Sequence, residues 1–516
     1  MGPSPSRRRA WALFAALHLV TAALFLFDRA PGTRAALTGL PVDDAWIHLV
    51  YARSFAHGQG FAYNPGQQET GFTSPLWVAL LAPAVWLSHA GAPLVPVVKV
   101  LGLGLAWWVS VLAYELLRRL FDDARPALLA GGLVALDPWL SFAKLSGMEV
   151  HLAAATVLWA LLELARGRLG WAAVAVASCG LARPENALFV APALGWLARE
   201  RLRRGDGFRG LLAAVGPTAL AGGAWMAYCL AVSGRPLPNT FYAKHPGKGP
   251  GLWLENLTKL GAMLGDLPWF AFGSGALFFV LGAVLLLRRR ADSPGAQRWL
   301  RVFIVAYPPV FILGLAWAHK MGDQYAFYWS RYLHPVVPLL LLPLSVGLVF
   351  SLSGAARALR GGVKPLGQAA GWVLLGLFAV VPLVAVPRAL KAKADRFAWN
   401  CQNIEEMQVA LGRWLAERTA PGEWIAANDA GALRFVSDRP TFDLTGLNFH
   451  QALRGDRRAI LERLAPRYYV LFPAWYPSLL NRPGARVVHS ARAAHYTICD
   501  CEQDELVVLQ LPPPAR

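Results

Sequence analysis

The stretch Trp11 to Phe27, WALFAALHLVTAALFLF, is followed by PVDDAWIHLVYARSFAHGQGFAYNPGQQETGFTSPLW, which covers Pro41 to Trp77. The first segment is an unbroken apolar run long enough to predict a membrane-spanning helix. The second segment holds two adjacent carboxylates, Asp43 and Asp44, among aromatic and amide side chains. Together they predict a membrane protein that carries an acidic pair in its first outer loop, residues 28–99.

The composition also indicates a membrane protein. Hydrophobic residues make up 56% of the 516-residue chain, charged residues only 16%, and there are 21 tryptophans. One soluble core cannot bury that much apolar surface. Arg7, Arg8 and Arg9 precede the first apolar run, and no small-residue cleavage site follows before Asp28. We therefore expect the first helix to remain as an anchor of a polytopic α-helical membrane protein.

We predict about eleven membrane-spanning helices, since each needs about 20 apolar residues and fewer where it is tilted or shielded. The predicted spans are Trp11 to Phe27, Val100 to Leu117, Ala127 to Leu140, Val150 to Leu164, Leu169 to Leu181, Ala187 to Leu197, Leu211 to Val232, Trp269 to Leu287, Val302 to Ala318, Val336 to Leu352 and Ala369 to Val386. The apolar run Pro75 to Leu87 is predicted to lie in the outer interface, because a crossing there would place Arg118 and Arg119 outside.

The net charge of +19 is distributed in alternate loops. Basic residues cluster at Arg7 to Arg9, Arg118 to Arg125, Arg166 and Arg168, Arg199 to Arg209, Arg288 to Arg301, and Arg357 to Lys364. The intervening loops carry the acidic residues Asp43, Asp44, Glu149, Glu185, Glu255 and Asp323. The positive-inside rule then places the amino terminus in the cytoplasm and the carboxyl terminus outside. Nucleic acid is not an expected partner, because no basic surface is interleaved with exposed aromatic rings.

The chain changes character near Arg388, where apolar runs shorten and charge density rises. We divide it into a transmembrane domain, residues 1–388, and an extracytoplasmic α/β domain, residues 389–516. The predicted elements of the second domain are a helix at Asn403 to Thr419, strands at Trp424 to Ala427, Thr441 to Leu444, Tyr468 to Phe472 and Leu506 to Leu511, and a helix at Arg458 to Leu464. This domain is expected to cover the outer mouth of the membrane domain, either as a lid or acceptor platform or as a stabilising cap.

Five cysteines are too few for a disulfide scaffold. Cys179 and Cys229 fall within predicted spans, where a thiol usually serves packing. A bridge from Cys401 to Cys499 or Cys501 would suit an oxidising outer compartment. A zinc site is the weaker alternative, because Cys-x-Cys lacks the usual ligand spacing.

The outward position of the acidic pair restricts the chemistry. No pool of ATP or nucleotide sugars exists outside the cytoplasm, so a transferase there must take its group from a lipid carrier. A lipid phosphate leaves without needing a proton, so one carboxylate that activates the acceptor hydroxyl is enough. A glycosidase would need two carboxyl groups at a set separation. Asp43 or Asp44 is the predicted base, and each raises the pKa of the other; alternatively, either could cap the helix Ala45 to Ala56.

Further charged residues lie in the other outward loops. The loops hold Lys144 to Glu149, Arg183 to Asn186, Leu237 to Lys244, His319 to Asp323 and Arg331 to His334. An arginine fork or a lysine at the membrane edge suits a lipid phosphate, and Arg331, Lys244 and Lys320 are the main candidates. The alternative for each cation is that it extends along the membrane surface to reach water.

These motifs resemble a known family. The string DDAWIHLVYARSFAHGQGFAYNPGQQETGFTSPLW resembles the first outer loop of bacterial polyprenyl-phosphate-sugar-dependent membrane glycosyltransferases of the GT-C type. Among these, terminal arabinofuranosyltransferases and mannosyltransferase-like proteins are the most similar. Later blocks also match: SGME at Ser146 to Glu149, RPEN at Arg183 to Asn186, LPNTFYAK at Leu237 to Lys244, GDQYAFYWSRYLHPVVP at Gly322 to Pro338, and NDAGALRFVSDR at Asn428 to Arg439.

The resemblance implies an enzyme of the bacterial inner membrane that transfers sugar with inversion at the anomeric carbon. The base role falls on Asp43 or Asp44, the donor is a polyprenyl-phosphate-linked sugar, and the acceptor is a glycan, lipid or protein of the envelope. Sugar or phosphate contacts fall on Glu149, Arg183, Glu185, Lys244, Lys320, Asp323, Arg331 and His334. Met321-Gly322-Asp323-Gln324 stands where the family often has two glycines and Asp-Trp, which leaves the sugar open.

Two further readings stay open. A transporter or flippase for a lipid-linked substrate would also use many spans and outward cations. However, transporters usually hold ionisable groups near the middle of the membrane, whereas Glu115 and Glu163 lie near the ends of spans, and no internal repeat is evident. Separately, the paired carboxylates could bind Mg²⁺ or Mn²⁺, although a phosphate held by arginine and lysine needs no metal.

Overall fold

Helices dominate the chain up to residue 418, and a mixed sheet follows. The computed structural model describes residues 4–28, 30–244, 250–270, 274–288, 296–323, 325–360, 367, 369–373, 381–455, 457–499 and 503–512. All statements below concern these residues.

The helical part contains one small hairpin in its first outer loop, formed by β1 (Ala62–Asn64) and β2 (Gln67–Gln68). Its helices are α1 (Pro5–Phe27), α2 (Asp43–Ala56), α3 (Pro75–His89), α4 (Leu94–Leu120), α5 (Arg125–Leu136), α6 (Pro138–Leu145), α7 (Val150–Ala165), α8 (Leu169–Ala182), α9 (Ala187–Arg203), α10 (Gly207–Ser233), α11 (Asn239–Ala243), α12 (Pro250–Gly265), α13 (Ser274–Arg288), α14 (Ala296–Ala318), α15 (Phe327–Ser330), α16 (Val337–Arg360) and α17 (Val386–Ile404).

The predicted spans up to Leu352 overlap these helices, and Ala127 to Leu140 corresponds to the pair α5 and α6. The span Trp269 to Leu287 begins before α13 and includes residues 271–273, which lie outside the described residues. Asp137 separates this pair, and its carboxylate caps α6 by accepting a 2.8 Å hydrogen bond from the Leu140 amide. Among the described residues, five helices are long and apolar enough to cross a membrane, and the α5–α6 pair, bent by 58°, would make a sixth. The predicted number of eleven stays a prediction, and the span Ala369 to Val386 lies partly outside the described residues.

Helices α13 and α16 pack closely against each other at Gly282 and Gly347. A Cβ added at Gly282 would lie 1.7 Å from the Pro343 carbonyl oxygen, and one added at Gly347 would lie 2.0 Å from the Phe278 carbonyl oxygen. Both obstacles are backbone atoms of the facing helix, which cannot move as a flexible side chain can. The contact therefore requires glycine on both helices.

We predict that Gly282→Ala destabilises the protein by about 1–3 kcal/mol, because the added methyl group forces two packed helices apart. Gly222 in α10 is the matched control, since a Cβ there meets nothing within 4 Å. Gly222→Ala should be neutral or stabilising by up to about 1 kcal/mol. The thermal unfolding midpoints of the purified variants test this, and equal midpoints for both would contradict the close contact.

The carboxyl-terminal part contains a five-stranded sheet of order β4-β3-β5-β7-β6, in which β3, β4 and β5 are parallel and β7 is antiparallel to both of its neighbours. Its elements are α18 (Ala410–Arg418), β3 (Ile425–Ala427), α19 (Ala432–Ser437), β4 (Thr441–Asp443), α20 (Arg457–Leu464), β5 (Tyr468–Leu471), α21 (Pro477–Leu480), β6 (Arg486–Arg492) and β7 (Glu505–Gln510). Apolar clusters cover both faces of the sheet.

The predicted α/β character of this domain is confirmed, and the four predicted strands are β3, β4, β5 and β7. Three elements after β3 were missed, and one of them, α21, has only four residues. Strand β6 is almost entirely exposed and so lacks the alternation of buried and exposed residues that marks a half-buried strand. Helix α19 has only six residues, too few for a helical period to be visible.

The predicted bridge from Cys401 is wrong. Cys401 is a free thiol buried between α17 and the first outer loop, where its Sγ lies 3.5 Å from the Gly39 carbonyl oxygen. Cys499 is disulfide-bonded, and Cys501 lies outside the described residues. Cys179 and Cys229 are free and buried, as expected for packing.

Candidate active site

A cavity of about 420 Å³ lies where α2, α9, α11 and α14 meet the ends of several loops. One residue of the carboxyl-terminal domain, Leu447, also lines it. The polar side chains in its lining are those of Asp44, His48, Thr73, Glu149, Arg183, Glu185, Thr240, Lys244, His319, Arg331 and Tyr332. The cavity thus collects charged residues that are far apart in the sequence.

The two adjacent aspartates point in different directions. Helix α2 begins at Asp43 itself, after Val42, so neither aspartate caps it. Because successive helical residues are about 100° apart, one side of α2 carries Asp44 and His48 while Asp43 faces elsewhere. Asp44 and His48 line the cavity, and Asp43 contacts the carboxyl-terminal domain.

Asp44 is held between two cations. Its Oδ2 accepts a hydrogen bond from Nη2 of Arg331 and lies 3.5 Å from Nζ of Lys244. Burial by itself would raise the pKa of Asp44, but the charges of Lys244 and Arg331 lower this pKa well below its usual range. Asp44 is therefore ionised at any physiological pH, and its side chain remains 20% exposed to the cavity.

Aromatic rings support both cations. The Arg331 guanidinium lies 4.6 Å from the ring centroid of Tyr328 and 5.3 Å from that of Tyr332, and its side chain is only 2% exposed. The ammonium group of Lys244 lies 6.0 Å from the Tyr328 centroid. Positive charge stacked on ring faces is stabilised by cation–π attraction. The site therefore keeps two positive charges close together beside one carboxylate.

A second ionic cluster lines the same cavity. Arg183 lies 3.5 Å from Glu149 and 3.1 Å from Glu185, and Nε2 of His319 lies 3.1 Å from Glu185. Arg183 also donates a 3.3 Å hydrogen bond to the Arg331 carbonyl oxygen, which links the two clusters. Burial would raise the pKa of Glu185, but Arg183 and His319 lower it well below its usual range.

Several cavity residues carry buried polar atoms that lack a hydrogen-bond partner among the described residues. These atoms are Oε2 of Glu149, Nδ1 of His48 and Oγ1 of Thr240. A buried polar atom without a partner costs about 1–3 kcal/mol. A ligand rich in hydroxyl groups would satisfy them.

The other half of the cavity is apolar. Leu188 on α9, Leu237 and Phe241 near α11, and Trp317 on α14 line it, and all four are exposed large hydrophobic residues. Gly314 allows α14 to approach α9, since a Cβ there would lie 2.4 Å from a methyl carbon of Leu188. The cavity therefore has a charged end and an apolar opening between the ends of helices.

The structure brings together most of the predicted site residues. Asp44, Glu149, Arg183, Glu185, Lys244 and Arg331 line the cavity. Within the described chain, Asp43, Lys320, Asp323 and His334 do not. Lys320 is exposed, Asp323 accepts a 2.9 Å hydrogen bond from the Tyr325 amide, and His334 is buried against the rings of Trp139 and Phe327. The roles assigned to these four residues stay predictions.

Sequence reasoning missed His48, Thr240, His319 and Tyr332. His48 could have been found, because it lies four residues after Asp44 and hence on the same side of a helix. Thr240, His319 and Tyr332 lie in outward loops that the sequence analysis had already identified as candidate site segments. Leu447 carried no signal, because a lone leucine in a loop is unremarkable.

The loop after β3 reaches the membrane domain at Asp43. Backbone amides of Gly431 and Ala432 each donate a 2.7 Å hydrogen bond to the Asp43 carboxylate. Asp429 lies in the same loop and accepts a 2.7 Å hydrogen bond from Nε2 of Gln408. Burial, followed by the negative charge of Asp429, raises the pKa of Asp43. Burial also raises the pKa of Asp429, to about 6.

The raised pKa of Asp429 predicts a pH-dependent stability. The folded state holds this proton more tightly than the unfolded state, so its contribution is present at low pH and is lost as pH rises through about 6. Asp429→Asn should therefore be more stable than the parent at pH 8, by at most about 3 kcal/mol, with no gain at pH 4. Thermal unfolding at the two pH values measures this.

Asp438→Asn is the control for that comparison, because the Asp438 side chain is 70% exposed. An identical stability change for Asp429→Asn at pH 4 and pH 8 would contradict the assignment.

The aspartate pair does not face one common site for a metal. Asp43 binds two amides, whereas Asp44 binds two cations. In the described part of the chain, no group of three His, Cys, Asp or Glu side chains is arranged to hold a metal ion. Binding of Mg²⁺ or Mn²⁺ stays a prediction.

Comparisons with known proteins bear on the fold. Residues 402–507 match the family described as Domain of unknown function (DUF8728). No curated protein matches the sequence. Among solved structures, ArnT from Cupriavidus metallidurans in the apo state aligns over 96% of this chain and 97% of its own, with 16% identity and a TM-score of 0.60. The same protein bound to undecaprenyl phosphate gives a TM-score of 0.59.

A second similar structure is the archaeal oligosaccharyltransferase AglB from Archaeoglobus fulgidus, in complex with an inhibitory peptide and a dolichol-phosphate. It aligns over 92% of this chain and 71% of its own, with 12% identity and a TM-score of 0.56. The chain has the GT-C fold. Mycobacterial arabinofuranosyltransferase AftD aligns over 99% of this chain and 40% of its own, with 15% identity and a TM-score of 0.46. The GT-C fold confirms the fold class implied by the sequence motifs.

Proposed function

We propose that this protein is an inverting glycosyltransferase that moves a sugar from a polyprenyl-phosphate donor to an acceptor outside the cytoplasm. The observation that carries the proposal is the cavity itself, in which Asp44 lies between Arg331 and Lys244 at the charged end of an apolar opening. A lipid phosphate has the same combination of an anionic head and an apolar chain. Asp44 is the base, and the two cations hold the phosphate.

The donor phosphate is expected to lie against Arg331 and Lys244. An arginine fork and a lysine point charge both suit a phosphate, and both side chains are fixed beside aromatic rings. Leu188, Leu237, Phe241 and Trp317 then receive the first isoprene units. The structures of ArnT with undecaprenyl phosphate and of AglB with a dolichol-phosphate support a polyprenyl carrier for this fold.

The proposed reaction is a single displacement. The acceptor hydroxyl oxygen attacks the anomeric carbon and forms the new glycosidic bond, while the bond from that carbon to the phosphate oxygen breaks. The polyprenyl phosphate leaves with the electron pair, and its charge is neutralised by Arg331 and Lys244. The hydroxyl proton passes to the carboxylate of Asp44, and the phosphate leaves without needing a proton from a separate acid. Attack from the face opposite the phosphate inverts the anomeric centre.

The second ionic cluster is proposed to bind the sugar. Glu149 and Thr240 carry unpartnered polar atoms at the cavity, which sugar hydroxyl groups would satisfy. Arg183, Glu185 and His319 hold Glu149 in place through the ion pairs described above. The identity of the sugar is not assigned, because these groups accept or donate hydrogen bonds to many hydroxyl patterns.

The orientation in the membrane is also proposed. The basic loops are placed in the cytoplasm, and the cavity and the domain of residues 389–516 are placed outside the inner membrane of a bacterium. Acceptors are then envelope glycans, lipids or proteins.

Purified protein with labelled polyprenyl-phosphate sugars and a panel of acceptors tests the function. We expect release of polyprenyl phosphate together with a labelled product, and loss of both in Asp44→Asn with donor binding retained. A transporter would instead move the intact donor between the leaflets of a liposome without forming product. That outcome would overturn the proposal.

A further inference from the structure

Asp43 lies beside the proposed base but outside the cavity. Both of its carboxylate oxygens are engaged: Oδ2 accepts from the Gly431 amide and Oδ1 from the Ala432 amide, each at 2.7 Å. A Cβ at Gly431 would lie 2.2 Å from the Asp43 carbonyl oxygen, so only glycine permits this approach. The contact therefore depends both on the Asp43 carboxylate and on glycine at position 431.

Other residues of α2 also contact the carboxyl-terminal domain. Arg53 donates a 3.1 Å hydrogen bond to the Phe435 carbonyl oxygen, and the rings of Trp46 and Phe435 are 5.4 Å apart. The Tyr51 hydroxyl donates a 2.9 Å hydrogen bond to Oδ1 of Asn448. Of these contacts, that of Asp43 lies in the first turn of α2, directly beside Asp44, so it sets most closely where Asp44 points.

We propose that Asp43 is a positioning residue through which the carboxyl-terminal domain aims Asp44 at its substrate. The backbone amides of the segment Ala430 to Ala432 bind the Asp43 carboxylate in the first turn of α2. The side chain of the next residue, Asp44, then faces Arg331 and Lys244. The domain is thus part of the catalytic apparatus and not only a cap. This inference rests on the proposed function, because it assumes that Asp44 is the base.

Three variants test the contact between the Asp43 carboxylate and the Gly431 and Ala432 amides. Ala432→Pro removes one donating amide and places the ring Cδ where the hydrogen pointed, which pushes the Asp43 carboxylate away from the loop. Asp43→Asn keeps the shape but turns an amide NH2 towards one backbone N–H. In the double variant the ring has already displaced the side chain of residue 43, so the amide adds no further conflict. We expect each single variant to lower kcat about tenfold or more with unchanged donor affinity, and the double variant to be no worse than either. Each variant also lowers the thermal midpoint, because a buried polar atom loses its partner.

Arg53→Gln is the matched control. It removes a contact between the same two helices, α2 and α19, at the opposite end of α2, and Arg53 does not line the cavity. Its kcat should stay within twofold of the parent. Gly431→Ala is an independent disruption of the same contact, for use if Ala432→Pro does not fold, and it should also lower kcat.

The outcomes separate this inference from the proposed function. Parental kcat in a folded Ala432→Pro or Gly431→Ala protein would overturn the positioning role. So would a further large loss when Asp43→Asn is added to Ala432→Pro, because Asp43 would then act by itself as a base. Retained transfer in Asp44→Asn would instead overturn the proposed function.

Discussion

Asp44→Asn is expected to lower kcat for sugar transfer by about 10²-fold to 10⁴-fold, the range that removal of a general base produces. The amide has the same shape but cannot take the acceptor proton. Donor affinity should be retained, because Arg331 and Lys244 remain and are no longer paired with a carboxylate. Steady-state transfer and separate donor-binding measurements on the purified protein distinguish these two effects.

The control for this variant is Asp28→Asn. Asp28 is an exposed carboxylate at the end of α1, where it pairs with Lys391. The kcat of Asp28→Asn should equal that of the parent. A fall in donor affinity with unchanged kcat in Asp44→Asn would contradict the base assignment, because it would make Asp44 a binding residue.

Arg331→Gln is expected to lower kcat/KM by about 10²-fold or more, because a buried cation that stabilises a departing phosphate is lost. Removing one partner of a buried ion pair also destabilises the fold, by about 3 kcal/mol. Arg331→Lys should recover only part of the activity, since an ammonium group cannot stack between Tyr328 and Tyr332 as a planar guanidinium does.

The pH profile gives this prediction a second, independent readout. Activity requires ionised Asp44 and falls as pH drops through its pKa, which Lys244 and Arg331 hold well below the usual range. Removal of Arg331 raises the pKa of Asp44, so the acidic limb of the profile should move towards neutral pH. Arg235→Gln is the control, because Arg235 stacks on Tyr242 at 4.6 Å and does not line the cavity. An unmoved acidic limb in Arg331→Gln would contradict the Asp44–Arg331 pair.

Apolar periodicity was sufficient to locate most of the helices. The runs within α1, α4, α10 and α16 are long and apolar enough for a membrane span, and the helices themselves have 23, 27, 27 and 24 residues. The boundaries of buried short helices were harder to predict, because α7 is apolar on all sides and its ends are set by packing. Helix α12 was not predicted, because Glu255 and Lys259 interrupt its apolar residues and leave no continuous run.

The candidate site was predictable in its residue types but not in its geometry. A pair of carboxylates and several cations in outward loops indicated the chemistry. The different roles of Asp43 and Asp44 could not be predicted from the sequence, because they depend on where the Gly431 and Ala432 amides lie in the folded chain. Likewise, the Asp44–Arg331 pair joins residues 287 positions apart.

The central claim is that Asp44 meets its lipid-linked donor on the non-cytoplasmic side of the membrane. Labelling with a membrane-impermeant maleimide tests it, with a cysteine introduced at Gln59, exposed just after α2, and another at Arg204, exposed between α9 and α10. We predict that Gln59→Cys is labelled in intact spheroplasts, whereas Arg204→Cys is labelled only after the membrane is broken. Labelling of Arg204→Cys but not Gln59→Cys in intact spheroplasts would place the cavity in the cytoplasm and contradict the account.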